Sequence, residues 1–190
     1  MNWERGFTAA YHACLVDPLT WEDMEQFDII SGSISRTGTG LRQSADIGCV
    51  DYKHGTDKWL RIWMDVRQEG SAEHIALFTG LTSSPERQID GTLNEITVQC
   101  YSVLKPAQDV LLPRGWFAAK GYIGAEIVDQ PLSVGPAPII VEPGSPRLSE
   151  YIIAENGETN LSMAEKILDA IGWRLRIEGD GAITVCPKAE

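Results

Sequence analysis

Trp59-Leu60-Arg61-Ile62-Trp63-Met64-Asp65-Val66 alternates two kinds of side chain without a break. In an extended chain Leu60, Ile62, Met64 and Val66 share one face, and Trp59, Arg61, Trp63 and Asp65 share the other. A period of two in a stretch rich in aliphatic and aromatic residues predicts a strand packed on one side. Outward from it the same period predicts strands over 28–35, 44–52, 72–81 and 93–101, the last with Ile96, Val98 and Cys100 on one face. Turn residues separate them: Thr37-Gly38-Thr39-Gly40, Lys53-His54-Gly55-Thr56-Asp57, Glu69-Gly70 and Asp90-Gly91. Five or more strands at this spacing, with no long helix between them, predict an antiparallel β-barrel or sandwich over 26–130.

Either side of these strands the pattern changes. Residues 1–25 show no clear alternation and are expected to form an arm, anchored by Trp3, Phe7, Tyr11 and Trp21, the last following the turn Asp17-Pro18-Leu19-Thr20. Beyond Tyr101, Pro106 can open a short helix over 107–112. A second short helix, 123–129, is expected to stop at Pro131. Five of the ten prolines lie between Pro131 and Pro146, which predicts an extended linker over 131–148.

A small α+β unit is expected over 149–190. Tyr151-Ile152-Ile153-Ala154 reads as a strand and Asn156-Gly157 as a turn. A helix then begins near 160–162, with Ser162 and Glu165 at capping-box spacing and Asn160 as an alternative N-cap. Leu161, Ala164, Leu168 and Ile171 fall on one helical face, and Gly172 stands where a C′ glycine belongs. Trp173, Leu175 and Ile177 then alternate with Arg174, Arg176 and Glu178, and Ile183 and Val185 carry the return strand, giving the order β-α-β-β. The fold class is therefore mainly β with α+β.

The chain has 190 residues, 43% of them hydrophobic, enough for a real core without metals or disulfides. Lys+Arg number 16 against 27 Asp+Glu, a formal net charge of −11 with no basic run. Phosphate neutralisation needs clustered cations, so nucleic-acid and anionic-membrane binding are disfavoured. No stretch approaches the roughly 18 apolar residues of a membrane span, and Met1-Asn2-Trp3-Glu4-Arg5 lacks the order of a signal peptide. Cys14, Cys49, Cys100 and Cys186 include no Cys-x-x-Cys pair, so they are expected as reduced thiols, Cys100 and Cys186 within the core.

Catalytic chemistry finds little support. His54 lies in a polar turn, His74 opens a strand beside Glu73, and His12 lies in the arm; none has a nucleophile-elbow context. Carboxylates are plentiful but scattered along turns and solvent faces rather than paired for glycoside hydrolysis. Cys49, Asp51 and His54 bracket a metal only if the strand end folds back on its loop, which is disfavoured. Gly38-Thr39-Gly40 lies between strands and reads as a hairpin rather than a phosphate loop. Asn160-Leu161-Ser162 matches a glycosylation sequon, of no consequence without secretion. No catalytic residue, cofactor or metal ligand is assigned. Trp59, Arg61 and Trp63, by contrast, make an unusual solvent face, since aromatics and Arg concentrate in interface cores. Either that face and Trp21 meet a neighbouring subunit, or the arm or the helix around Val110 covers it within the chain.

A longer pattern now enters. "LFTGLTSSPERQIDGTLNEITVQCYSVLKP" (Leu77 to Pro106) carries a Phe-x-Gly strand end, a hairpin and a return strand. "AQDVLL" and "GWFAAKGYIGAEIVDQPL" (Gly115 to Leu132) follow, and then "AENGETNLSMAEKILDAIGWRLRIEGDGAITVCP" (Ala154 to Pro187). This order resembles the baseplate hub proteins of tailed phages and prophages, over roughly residues 26–187. Such hubs are usually longer and carry a second barrel, so the resemblance implies only the N-terminal half of a hub, or a related ring component such as a distal tail protein. It implies a non-enzymatic virion tail protein, assembled in the host bacterial cytoplasm into a trimer or hexamer ring, with tail-tube and tip or spike proteins as partners. A carbohydrate-binding or hydrolase module of a tail, with Trp59 and Trp63 as stacking platforms, is the alternative.

Overall fold

Strands form where the two-residue period is strongest, and register decides which of them meet. The computed structural model describes residues 6–50, 52–83, 85–90 and 93–188. The chain divides into two units, the first comprising the described residues up to 38, then 42–102, and the turn Gly179–Gly181.

The first unit holds β1 (Thr8–Val16), β2 (Asp23–Arg36), β3 (Gln43–Val50), β4 (Trp59–Gln68), β5 (Ser71–Thr82), β6 (Glu86–Asp90) and β7 (Leu93–Ser102). They pair in the order β3-β2-β1-β4-β5-β7-β6, and β3 also pairs with β7. That last pairing closes six antiparallel strands into a barrel, which removes the sheet edges, and leaves β6 as an addition to β7. β5 and β6 share one side of β7: β5 takes its end through Gly80↔Ser102, and β6 its beginning through Asp90↔Leu93. Ala13, Leu15, Ala45, Ile47, Cys49, Leu60, Ile62, Phe78, Ile96, Val98 and Cys100 fill the interior. A Cβ on Gly80 would lie 2.2 Å from the Tyr101 carbonyl oxygen, so only glycine lets β5 approach β7 here. The turn Glu69-Gly70 joins β4 to β5 with Gly70 at φ 75°, as the sequence suggests.

The expected arm over 1–25 needs correction. Thr8–Val16 is a barrel strand lying between β2 and β4, paired with β4 from Thr8↔Arg67 to Val16↔Trp59. Ala13 to Val16 is buried on both faces, while Thr8 to Tyr11 is exposed. Ala13 to Val16 therefore reads as an unbroken apolar run, and Thr8-Ala9-Ala10-Tyr11 is exposed without alternating, so neither half shows a period of two. Phe7 and Tyr11 are exposed rather than anchoring, and Trp3 lies outside the described residues, as does Gly91 of the fourth expected turn.

The second unit contains α1 (Lys105–Asp109), β8 (Phe117–Ala118), α2 (Gly124–Leu132), β9 (Ile139–Val141), β10 (Ile152–Ile153), α3 (Asn160–Ala170), β11 (Trp173–Ile177) and β12 (Ile183–Pro187). Pro106 occupies the first turn of α1. Leu161, Met163, Ala164, Ile167 and Leu168 of α3 are buried together with Val128, Leu132, Leu175 and Val185 of the same unit. The expected linker over 131–148 also needs correction. Pro131 stays inside α2, where Ser133 N–H donates to the Asp129 carbonyl at 2.9 Å to close the last turn. Ile139–Val141 pairs in parallel with β12, and prolines 138 and 143 flank an edge strand, a position that tolerates them. The unit therefore begins after Ser102, and α1, β8 and α2 belong to it rather than to the barrel. Along the chain β10-α3-β11-β12 follows the expected β-α-β-β order, but β10 pairs with β8, outside the β11-β12-β9 sheet.

Candidate functional site

The outward face of β4 carries Trp59, Arg61, Trp63 and Asp65, and the turn between β1 and β2 is built to cover part of it. Trp21 N–H donates to the Asp17 carbonyl at 2.8 Å, Asp17 N–H donates to the Glu22 carbonyl at 2.9 Å, and Trp21 itself sits at φ 61°. A bulky residue in the left-handed region is a strained choice. Here it delivers the indole onto Trp59, with ring centroids 5.4 Å apart. Trp21 Nε1 donates to the Asp180 carbonyl at 2.9 Å.

Arg61 is the centre of this cluster and only 6% exposed. Its Nε donates to Thr79 Oγ1 at 3.1 Å, one terminal nitrogen donates to Asp23 Oδ1 at 2.7 Å, and the other donates to the carbonyls of Asp180 at 3.0 Å and Trp21 at 3.3 Å. The guanidinium lies 6.0 Å from the Trp21 ring and 5.8 Å from the Trp63 ring. A buried charge is tolerated when it is paired and hydrogen-bonded, and this one has its carboxylate and four hydrogen bonds. Asp23 divides its carboxylate, since Oδ2 accepts from Trp63 Nε1 at 2.7 Å. Trp21, Trp59, Arg61 and Trp63 are thus brought together in one cluster within the first unit. Trp59, 8% exposed, offers no free ring face on which a sugar could stack.

Farther along the same face lies a group the sequence does not bring together. Trp63 stacks on His74 with centroids 3.9 Å apart, and His74 stacks on His12 at 5.5 Å. Both imidazoles turn Nδ1 toward Asp65: His74 to Oδ1 at 2.5 Å and His12 to Oδ2 at 3.1 Å. The hydrogen bond from His74 holds the Asp65 carboxyl below the usual carboxylate value, and the charges of His12, His74 and Arg67 act the same way against a desolvation penalty. His12, Asp65 and His74 come from three different strands. Alternation alone puts Asp65 beside Trp63, but only the registers of β1 and β5 against β4 add the histidines.

The other candidates stay apart. His54 pairs with Glu25 at 3.2 Å, and the Cys49 thiol is buried and donates to the Ile96 carbonyl at 3.5 Å. Asp51, the third member of that set, lies outside the described residues. Gly38-Thr39-Gly40 lies in the β2–β3 hairpin. All four cysteines are buried, and burial pushes the Cys100 thiol up to about 12.

No family model and no curated protein matches the sequence. Solved structures do match. A tail protein from Neisseria meningitidis MC58 is similar over 93% of this chain and 51% of its own, at 15% identity and TM-score 0.67. The 43 kDa tail protein of prophage MuSo2 from Shewanella oneidensis is similar over 96% of this chain and 56% of its own, at 12% identity and TM-score 0.69. A chain of the Francisella PdpA-VgrG complex covers 98% of this chain with 32% of its own, at 7% identity and TM-score 0.55. The chain has the fold of phage tail proteins, barrel and α+β unit together. It spans about half the length of the two tail proteins.

Proposed function

We propose that the chain is a structural component of a phage or prophage tail tip, a hub-like ring protein that links the tail tube to the tip and works through surfaces rather than catalysis. The observation that carries this is the fold: a closed barrel followed by an α+β unit, similar to tail proteins over more than nine-tenths of the chain. Ring formation needs surfaces to bury between subunits. The second unit has one on its β8–β10 ribbon, where Phe117, Tyr151 and Ile153 are all more than half exposed and the Phe117 and Tyr151 rings lie 6.4 Å apart. A net charge of −11 per subunit, repeated around a ring, gives a wall that repels DNA in passage.

In this reading the subunits assemble as a trimer or hexamer in the host cytoplasm and stay in the virion tail. Sedimentation at micromolar concentration, alone and with tail-tube protein, tests it. The expected result is a ring-sized multiple of 20.9 kDa or a stable co-complex, lost when Phe117→Asp and Ile153→Asp are combined. A strict monomer that also ignores the tail tube overturns it.

A further inference from the structure

Three adjacent barrel strands place one metal-binding side chain each on the same sheet face. Asp65 of β4 stands directly opposite His74 of β5, and His12 of β1 stands opposite Trp63, two residues along β4 from Asp65. The nitrogen and oxygen ligand atoms of the three side chains all lie within 4.8 Å of one another. Two imidazole nitrogens converge on one carboxylate from either side, at 2.5 and 3.1 Å. Around a zinc ion with bonds of about 2.0–2.2 Å, neighbouring ligand atoms stand roughly 3.3 Å apart. Side-chain rotations that bring these atoms, now up to 4.8 Å apart, to that spacing turn the hydrogen-bonded trio into a coordination set, with each imidazole proton moved from Nδ1 to Nε2.

The surroundings favour a fixed set of ligands. His12 is buried, and the His74 ring lies between Trp63 and His12. Trp63 is held in turn by its hydrogen bond to Asp23. Such outer contacts orient metal ligands and raise affinity. Asp65 and His74 remain partly exposed, with side chains 36% and 50% accessible, so solvent reaches the open side of the site.

We propose that His12, Asp65 and His74 bind a borderline divalent transition-metal ion, Zn²⁺ or Co²⁺, through two imidazole nitrogens and one carboxylate oxygen, with water completing the shell. One hard oxygen is too few to retain Mg²⁺ or Ca²⁺. The ion would tie β1, β4 and β5 together, stabilising the barrel by mass action. The site stands independently of any role in a tail.

Calorimetry of the untagged full chain with ZnCl₂, together with absorption spectra in CoCl₂, tests this. Expected are one saturable Zn²⁺ site per chain, a higher thermal midpoint with Zn²⁺ but not with MgCl₂, and Co²⁺ d–d bands without a thiolate charge-transfer band. His74→Gln and Asp65→Asn, both at partly exposed positions, should each weaken Zn²⁺ binding roughly tenfold or more while keeping the wild-type far-ultraviolet spectrum. No Zn²⁺ binding by the wild-type chain, unaltered affinity in either variant, or a thiolate band would overturn the proposal.

Discussion

The barrel and the α+β unit are held by different kinds of chemistry. In the second unit the decisive devices are local: Thr159 caps α3 by accepting from Ser162 N–H at 3.1 Å, and Gly172 ends the helix region at φ 70°. In the barrel they are distant. Arg61 is satisfied by Asp23, Thr79 and Asp180, and the barrel closes only when β3 finds β7, some fifty residues away. Gly172 declares itself in a short window of sequence, although the cap proves to be Thr159 and not the expected Asn160 or Ser162, whereas register shows only once distant strands have met.

The largest expected effect lies in the barrel core. Phe78 is fully buried beside the tight β5–β7 approach, and Phe78→Ala should cost about 3–5 kcal/mol in chemical denaturation. A loss below 1 kcal/mol would mean the core repacks, and the barrel would then not depend on one register. Next comes the polar cluster. Arg61→Ala leaves Asp23 and Thr79 without their cation and should cost about 3 kcal/mol. Combining Arg61→Met with Asp23→Ala should recover part of that loss, because removing both charges also removes their desolvation penalty. Failure to recover would show that the cluster stabilises the fold outright rather than selecting it.

Alkaline stability probes the same interior. The Cys100 thiol titrates near 12 when folded, mainly because of burial, against 9.0 for an ordinary thiol. The unfolded chain therefore loses this proton first. The contribution is whole below pH 9 and declines as pH rises from there toward the folded value, by about 1 kcal/mol at pH 10. Thermal melts of Cys100→Ala should fall less steeply than wild type between pH 8 and 10; parallel curves would contradict burial of the thiol. The smallest effect belongs to the local unit, where Thr159→Ala removes the α3 cap and should lower stability by about 1 kcal/mol. A loss as large as that of Arg61→Ala would erase the contrast between the units.

The strands over 28–35, 44–52, 59–66, 72–81 and 93–101 are legible because their side chains alternate in kind between turn residues, and they correspond to β2, β3, β4, β5 and β7. β1 is hidden for the opposite reason, since Ala13 to Val16 is enclosed on both faces. Prolines mislead where they flank β9 or ride in the last turn of α2, because proline density reports a missing donor and not a missing partner. The tryptophan and arginine face of β4 is visible in the sequence, but its covering by Trp21 is not. That depends on a left-handed residue after a tight turn. His12, Asp65 and His74 are 53 and 9 residues apart in sequence order, and no spacing rule joins them.

By itself the sequence determined the mainly β class, the hairpin turns, the helix near residue 160 with its glycine stop, and a net acidic charge. These follow from side-chain period, backbone preference and net charge, all of which act over a few residues or over the whole composition. Tertiary structure alone decided that the barrel closes through β3 and β7, that Arg61 is buried with its partners, and that two histidines meet one aspartate. Pairing register sets which side chains become neighbours across a sheet, and register is settled only when distant strands dock.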